Sequence, residues 1–325
     1  MAGMMRDGMA GAIDLGGTKI EARLFDAELR TLAVQRVPTP RTDFDAFLTA
    51  LAGQVRWLEA QAGAEAGAEA AVLPVAVSIA GLIDPQTGIA TASNIPVSGR
   101  ALGPALREVL GRDLPLINDC MAFAYSEAHG GAGEGAASVL GLVLGTGVGA
   151  GFVLDGRLPP RPAGLAVEIG HVGMPARALA RHGLPVWRCG CGRDACHENY
   201  VSGTGLRRIA EWAGLADPEP AAVAARAAAD PAAARVMAIW ADLAGEMLYA
   251  AQLMLDPQVI VLGGGLSNIP GVTMMLEHAL ARLRLGQVRL PAIRVARHGD
   301  SSGARGAALL AQAGHDGVLS HGGRA

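Results

Sequence analysis

Short apolar blocks recur along the chain, and several of them end in glycine. Ala12–Leu15 is an apolar run that meets Gly16-Gly17-Thr18, and Ile20–Phe25 then alternates apolar with polar residues. That pattern predicts a β-hairpin closed by a tight glycine turn. A further strand is predicted near Leu32–Val37. Phe44, Phe47, Leu48, Leu51, Val55 and Leu58 recur at helical spacing behind Asp43, a capping residue type. The weakly patterned stretch 62–71 reads as a helix end and a loop. Val75–Ile79 is a short buried strand, Leu116–Ile117 ends another just before Asn118-Asp119, and a helical pattern runs from Met121 to His129.

The middle of the chain repeats the opening device. Val139–Leu144 leads into a glycine loop, and Phe152–Leu154 follows, closed by Asp155-Gly156. Two such strand–glycine–strand units predict an α/β protein of two similar lobes, each with a glycine hairpin facing a common cleft. Helices are predicted over Tyr200–Gly214 and Ala233–Leu255 and near 273–284 and 303–312, with strand Val259–Leu262 running into Gly263-Gly264-Gly265. The expected division is a smaller α/β lobe over 10–120 and a larger one over 121–315, whose last helix can return to the first lobe. Residues up to Met9 and the tail 316–325 read as loose ends.

Composition narrows the classes. The chain has 325 residues, 51% hydrophobic and 18% charged, enough to build large cores. The net charge of −3 and the lack of a basic run argue against nucleic acid or an anionic membrane as partner. No apolar run approaches the ~18 residues of a membrane span, and no secretory h-region precedes Ala12, so a cytoplasmic location is expected.

Two loops carry candidate phosphate chemistry. Ile13-Asp14-Leu15-Gly16-Gly17-Thr18-Lys19 lies at a strand end, where glycines permit φ > 0 and let amides approach an anion without a Cβ in the way. Thr18 and Lys19 add a hydroxyl and a cation, and Asp14 can hold Mg²⁺ through water. An ordinary hairpin turn is the alternative. Gly145-Thr146-Gly147-Val148-Gly149-Ala150-Gly151 is the second loop. It fits a dinucleotide fingerprint loosely, but strand rather than helix follows, which excludes a Rossmann site. A G-x-x-x-x-G-K-[ST] loop is absent. The two hairpins could clamp one triphosphate, with Gly264 and Gly265 offering a flat surface to adenosine.

Asp119 stands where a strand turns into a helix, a place from which a carboxylate can act as general base toward a weakly acidic sugar hydroxyl. Capping the helix is its competing role. Ser78, Gly81, Asn94, Asn118, Glu168, His171 and Glu198 are candidate sugar contacts, since sugars are read by convergent short polar groups. His171, Cys189, Cys191 and Cys196 form a Cys₃His set suited to a closed structural zinc site, with His182 and His197 as flanking donors. Four unliganded thiol and imidazole groups are the alternative.

These motifs, Asp14-Leu15-Gly16-Gly17-Thr18-Lys19, Asn118-Asp119, Gly145-Thr146-Gly147-Val148-Gly149, Glu168-Ile169-Gly170-His171 and Cys189-Gly190-Cys191-Gly192-Arg193, resemble the ROK family of bacterial sugar kinases over residues 11–313. The resemblance implies an actin-like (ribonuclease H-like) ATPase fold with two lobes around a cleft and an ATP-dependent hexose or N-acetylhexosamine kinase. It further implies Asp119 as base, Glu168, His171 and Glu198 on the sugar, MgATP as donor, structural Zn²⁺ on the His/Cys set and a possible homodimer. Arg36-Val37-Pro38-Thr39-Pro40-Arg41, Glu198-Asn199-Tyr200-Val201-Ser202-Gly203, Leu262-Gly263-Gly264-Gly265-Leu266-Ser267-Asn268 and Ala296-Arg297-His298-Gly299-Asp300 resemble members that act on the 6-hydroxyl of N-acetyl-D-glucosamine. Glucose, fructose, mannose and N-acetylmannosamine are the alternative acceptors. A sugar-sensing transcriptional regulator is disfavoured, because only about ten residues precede the first strand.

Four positions depart from the family pattern. Ala80 stands for a proline before Gly81, Ala150 and Ala195 for glycines, and Val167 for a glycine before Glu168. If positions 150 and 195 need φ > 0, their loops must be rearranged or strained.

Overall fold

A computed structural model describes residues 8–66, 72–299 and 302–314. The tail 316–325, Asp300 of the last family motif, the end of the 62–71 stretch and all but Gly8 and Met9 of the leading segment lie outside the described residues. The chain divides into two compact units.

The first unit holds residues up to Ser126, Gly156–Ala166 and the described residues from Ser302 onward. Its elements are β1 (Ala10–Leu15), β2 (Lys19–Phe25), β3 (Thr31–Pro38), α1 (Phe44–Ala66), β4 (Val75–Ile79), β5 (Leu82–Ile83), β6 (Ala90–Thr91), α2 (Leu102–Leu110), β7 (Leu116–Asn118) and the start of α3 (Asp119–Ala128). The main sheet has the order β3-β2-β1-β4-β7, with β1–β2 and β2–β3 antiparallel and β1–β4 and β4–β7 parallel. Alternation along β1 sends Ile13 and Leu15 to one face and Ala10 and Ala12 to the other. The first face packs with Phe47, Leu51, Val55 and Leu58 of α1.

The second unit spans Glu127–Asp155 and Val167–Gly299. It contains β8 (Ser138–Leu144), β9 (Val148–Leu154), α4 (Ala176–His182), α5 (Glu198–Val201), α6 (Gly203–Trp212), α7 (Pro220–Arg226), α8 (Pro231–Leu255), β10 (Val259–Gly263), α9 (Val272–Leu283) and β11 (Ala292–Val295). The sheet order is β11-β10-β8-β9, and again an antiparallel hairpin lends its first strand to a parallel neighbour. Asp230 starts α8 by accepting from the Ala232 and Ala233 amides. Trp240 is fully buried in α8, and its Nε1–H donates to Val201 O at 2.9 Å.

α10 (Ser302–Ala313) belongs to the first unit, where Ala304, Ala307 and Ala308 cover the small face made by Ala10, Ala12 and Ala76. A methyl group at Gly306 would lie 1.8 Å from Ala122 O, so α10 and α3 meet backbone to backbone. The inclusion of Gly156–Ala166 in the first unit has no counterpart in the sequence reading. That segment lacks periodicity, and it is anchored by one close approach: Gly164, at φ +69°, sits where a Cβ would collide with Ile83 O at 1.7 Å. The single helix expected over Tyr200–Gly214 is two, broken at Ser202. Its hydroxyl donates to Glu198 O at 2.7 Å and accepts from Gly205 N at 2.9 Å, ending α5 and capping α6. β9 begins at Val148, so Gly149, Ala150 and Gly151 are ladder residues opposite Val143, Leu142 and Gly141 rather than loop. No helix among the described residues is long and apolar enough to cross a membrane.

Glu21 of β2 is buried under three cations. Its oxygens accept from Lys19 Nζ at 3.1 Å, Arg23 Nη2 at 2.5 Å and Arg36 Nε at 2.6 Å. Burial alone would push this carboxyl up, but the hydrogen bonds from Arg23, Arg36 and Lys19 together lower it to about 2. A group with a depressed folded pKa stabilises the native state above its unfolded pKa, and that contribution disappears as pH falls through the folded value. Glu21→Gln should therefore cost about 1–3 kcal/mol at neutral pH. Denaturant titrations of the two proteins should converge between the ordinary glutamate pKa and about pH 2; parallel curves throughout would contradict this charge assignment.

Candidate active site

The first glycine turn joins β1 to β2. Gly16 N donates to Lys19 O at 3.1 Å, closing the turn. Its remaining carbonyls are held from behind: Thr39 Oγ1 donates to Gly16 O at 2.8 Å, Arg41 Nε to Gly17 O at 2.8 Å and Thr39 N to Thr18 O at 3.1 Å. With the acceptors engaged, the backbone groups the turn has left to offer are donors, which suits an anion. The expected reason for its glycines needs correcting, because neither Gly16 nor Gly17 has positive φ. Closeness matters at Gly17, where a Cβ would lie 2.7 Å from the Asn94 Cβ.

The second turn, Gly145-Thr146-Gly147, is built alike. Gly145 N donates to Gly147 O at 3.0 Å, Gly203 N to Gly145 O at 2.7 Å and Thr204 Oγ1 to Thr146 O at 2.8 Å. Here too the glycines have ordinary φ. A Cβ at Gly147 would lie 2.5 Å from Glu198 Oε2, an atom that also accepts from Val148 N at 3.0 Å. Gly264 is the exception, since it combines φ +77° with a Cβ position 2.6 Å from Leu144 O. No other residue type fits there without moving the turn.

Asp119 opens α3 and its Oδ1 accepts from Cys120 N at 2.9 Å, but Asn118 supplies most of the cap. Asn118 Oδ1 accepts from Cys120 N at 2.9 Å and Met121 N at 3.2 Å, while its Nδ2 donates to Gly81 O at 3.0 Å. One side chain thus starts the helix and fixes the loop after β4. Burial raises the Asp119 pKa. Burial, then the charges of Asp119 and Glu21, pushes Asp14 up to about 6. Ser78 pairs in register with Asp14, and its buried Oγ has no hydrogen-bond partner. A Cβ on Gly303, in the first turn of α10, would lie 3.7 Å from Ser78 Oγ and 3.9 Å from Asp14 Oδ1. Two desolvated carboxylates and an unpaired hydroxyl therefore gather at the strand ends of the first unit.

In the second unit, Glu168 precedes the 3₁₀ turn Ile169–His171. The ligand atoms of His171, Cys189, Cys191 and Cys196 all lie within 4.8 Å of one another. Cys191 and Cys196 sulfurs are 3.6 Å apart, and Cys189 Sγ is 3.8 Å from His171 Nδ1. Tetrahedral zinc with Zn–S near 2.3 Å has edges of roughly 3.8 Å, so this set fits the ion. Burial and the neighbouring sulfurs push the Cys196 thiol up to about 12, so it keeps its proton unless a cation displaces it. The flanking histidines are engaged elsewhere. His182 Nε2 is 2.8 Å from Asp242, and His197 Nδ1 is 3.1 Å from Ile169 O. Burial lowers His197 to about 4, keeping it neutral.

The family departures have local answers. Ala80 N donates to Leu15 O at 3.2 Å, a bond that proline could not make. Ala150 and Val167 have ordinary φ, and Val167 N donates to Ala150 O at 3.0 Å. Ala195 is held at φ +55°, a strained value for a residue with a Cβ.

A cavity of about 720 Å³ begins at Leu144, Gly145 and Thr146 and continues between Gly203, Thr204 and Arg207 of α6, Glu219 to Ala225 at α7, and Gly265 to Pro270. Of the nucleotide residues expected from the sequence, Gly145, Thr146 and Gly265 line it, whereas the α6 and α7 walls were missed. The signal available was the Gly203-Thr204-Gly205 start of α6.

Residues 10–314 match the ROK family. The chain is 39% identical to the N-acetylgalactosamine kinase AgaK of Shewanella sp. (strain ANA-3), covering 92% of this chain and 95% of the relative. It is 36% identical to the N-acetyl-D-glucosamine kinase of Haemophilus influenzae (strain 86-028NP), covering 92% and 97%. The ROK hexokinase structure from Thermus thermophilus superposes with TM-score 0.76 at 34% identity, covering 93% and 97%. With its paired hairpin sheets and an actin-like ATPase fold, the chain belongs to the ROK family.

Proposed function

We propose that this protein transfers the γ-phosphoryl group of MgATP to the 6-hydroxyl of N-acetyl-D-glucosamine, with Asp119 as general base. The observation that carries the reading is the Asp119 carboxylate itself. It is raised in pKa by burial, as a proton acceptor working beside a sugar alcohol requires. Asn118 is the main helix cap, while the Asp119 Oδ1 accepts from Cys120 N at 2.9 Å. The relatives at 36–39% identity act on N-acetylhexosamines by name and support the acceptor class.

In this reading Ser78, Gly81, Asn94, Asn118, Glu168, His171 and Glu198 hold the sugar. Ser78 contributes a hydroxyl with no internal partner, and Asn118 keeps the Gly81 loop in place. Asp119 accepts the proton of the 6-hydroxyl as its oxygen bonds to phosphorus, and the ADP oxygen leaves with the electron pair. The donor-rich turns at Gly16–Thr18 and Gly145–Gly147 bind the phosphates, and the 720 Å³ cavity takes the adenosine. Asp14 would hold Mg²⁺ through water, and Mg²⁺ supplies charge neutralisation for the phosphates.

Zinc would be held by His171, Cys189, Cys191 and Cys196, with no position left open for water. His171 faces Cys189 with Nδ1, leaving Nε2 for the sugar. A second acceptor, N-acetyl-D-galactosamine, is favoured by the relative at 39% identity.

Three measurements test this. In a coupled ADP-release assay, N-acetyl-D-glucosamine should give the highest kcat/KM among N-acetylhexosamines and plain hexoses; a clear preference for glucose sinks the acceptor assignment, and one for the galactosamine epimer selects the second reading. Asp119→Asn should lower kcat by ~10² or more while calorimetric sugar binding survives; near-normal turnover removes Asp119 from the mechanism. Elemental analysis should find about one zinc per chain, and a metal-free yet fully active preparation would refute the zinc site.

A further inference from the structure

The nucleotide cavity carries one charged pair, and its placement is informative. Among the described residues lining the cavity, Arg207 and Glu219 are the only charged ones. Arg207 Nη1 lies 3.5 Å from Glu219 Oε1, and Arg207 Nε donates to Glu211 Oε1 at 3.0 Å. The rest of the wall around the pair is largely apolar: Ala221, Ala224, Ala225, Leu266, Ile269 and Pro270. Such walls suit a base ring, and an arginine already shared between two carboxylates is a poor anchor for a long polyanion such as inorganic polyphosphate.

The position of the pair along α6 narrows its partner. Thr204 ties the helix to the phosphate turn through Thr146 O, and Arg207 follows three residues later on the same helix face. Three residues of helix rise about 4.5 Å, so the pair sits roughly one turn beyond the phosphate loop. Going outward from the phosphates of a nucleoside triphosphate, the first group met is the ribose, and the exocyclic group of the base lies well beyond it. An ionised carboxylate only accepts hydrogen bonds, and within that reach the only donors of the nucleotide are the ribose hydroxyls. Phosphate oxygens offer none.

We propose that Glu219, oriented by Arg207, accepts a hydrogen bond from the ribose 2′-hydroxyl of the donor and makes this protein select a ribonucleoside over a 2′-deoxyribonucleoside triphosphate. The proposal rests on the kinase reading above. Glu219 is a binding residue in it, and Arg207 is a positioning residue. The pair is about half exposed, so the discrimination is moderate, about tenfold.

The test compares ATP, 2′-deoxy-ATP and inosine triphosphate as donors to N-acetylated and plain hexoses, using the purified full chain. The parent should prefer ATP over 2′-deoxy-ATP by ~10-fold in kcat/KM. Glu219→Ala should bring the ratio to within about twofold, with the loss carried by KM for ATP, and Glu219→Gln, which keeps an acceptor oxygen, should retain part of it. Thermal melts establish that the variants fold; should the alanine variant not fold, the parent ratio and the glutamine variant decide. A parent without preference, or an alanine variant that keeps the tenfold ratio, overturns the proposal. So does a variant that loses discrimination between ATP and inosine triphosphate instead, since the carboxylate would then read the base. If the parent uses none of the triphosphates with any hexose, the kinase reading itself falls, and this is distinguishable from failure of the ribose assignment alone.

Discussion

What each unit can offer an anion depends on how the carbonyl groups of its own glycine turn are disposed of. A reversal of three residues between strands exposes both donors and acceptors, and an anion tolerates only the donors. In the first unit Thr39 and Arg41 engage the carbonyls of Gly16, Gly17 and Thr18. In the second, Gly203 N and Thr204 Oγ1 do the same for Gly145 and Thr146. The means differ, one side using the segment after an edge strand and the other the start of a helix. The electrostatic outcome is the same.

Around this constraint the other groups acquire distinct tasks. Asn118 takes most of the helix cap, and the neighbouring Asp119 carboxylate accepts from Cys120 N at its Oδ1. Glu198 touches the second turn through Val148 N and sits where any side chain at Gly147 would stand, so α5 and the turn are packed as one piece. His197 joins the same piece by its contact to Ile169 O, next to Glu168 and His171. Glu21 gathers Lys19, Arg23 and Arg36 beneath the first turn, which keeps the lysine near the loop it follows. Rigid backing of this kind limits the reorganisation needed when a charged substrate arrives.

Much of this was legible in the sequence because its signals are local. Period-two strands on either side of glycine predicted both hairpins, a helical apolar stripe predicted α1, and Cys₃His spacing predicted a cluster that the fold brings together. What escaped depends on distant partners. Nothing near Thr39 or Arg41 announces that they tie down a turn more than twenty residues earlier. Helix α7 is short and alanine-rich, so its role as a cavity wall leaves no periodic trace. Of the two reasons given for the glycines, φ > 0 applies in neither turn; what the folded chain adds is closeness to a neighbour at Gly17 and Gly147, which no local pattern encodes. The break at Ser202 did leave a trace, the polar and glycine-rich run Ser202-Gly203-Thr204-Gly205 with a hydroxyl able to cap, which a single helix over Tyr200–Gly214 passes over.

The loop that carries the Cys₃His cluster is also fastened by contacts outside the cluster. Tyr200 accepts from Trp187 N at 3.1 Å and donates to Pro185 O at 2.9 Å, and the two rings stack with centroids 4.8 Å apart. Asn199 Nδ2 donates to Trp187 O, and the Arg208 guanidinium lies over the indole. The approach to the cysteines is therefore moored to α5 and α6 independently of any ion. A polypeptide so moored can present its thiols together as soon as it folds, so that any cation captured there would complete a site already shaped rather than organise one from a slack loop.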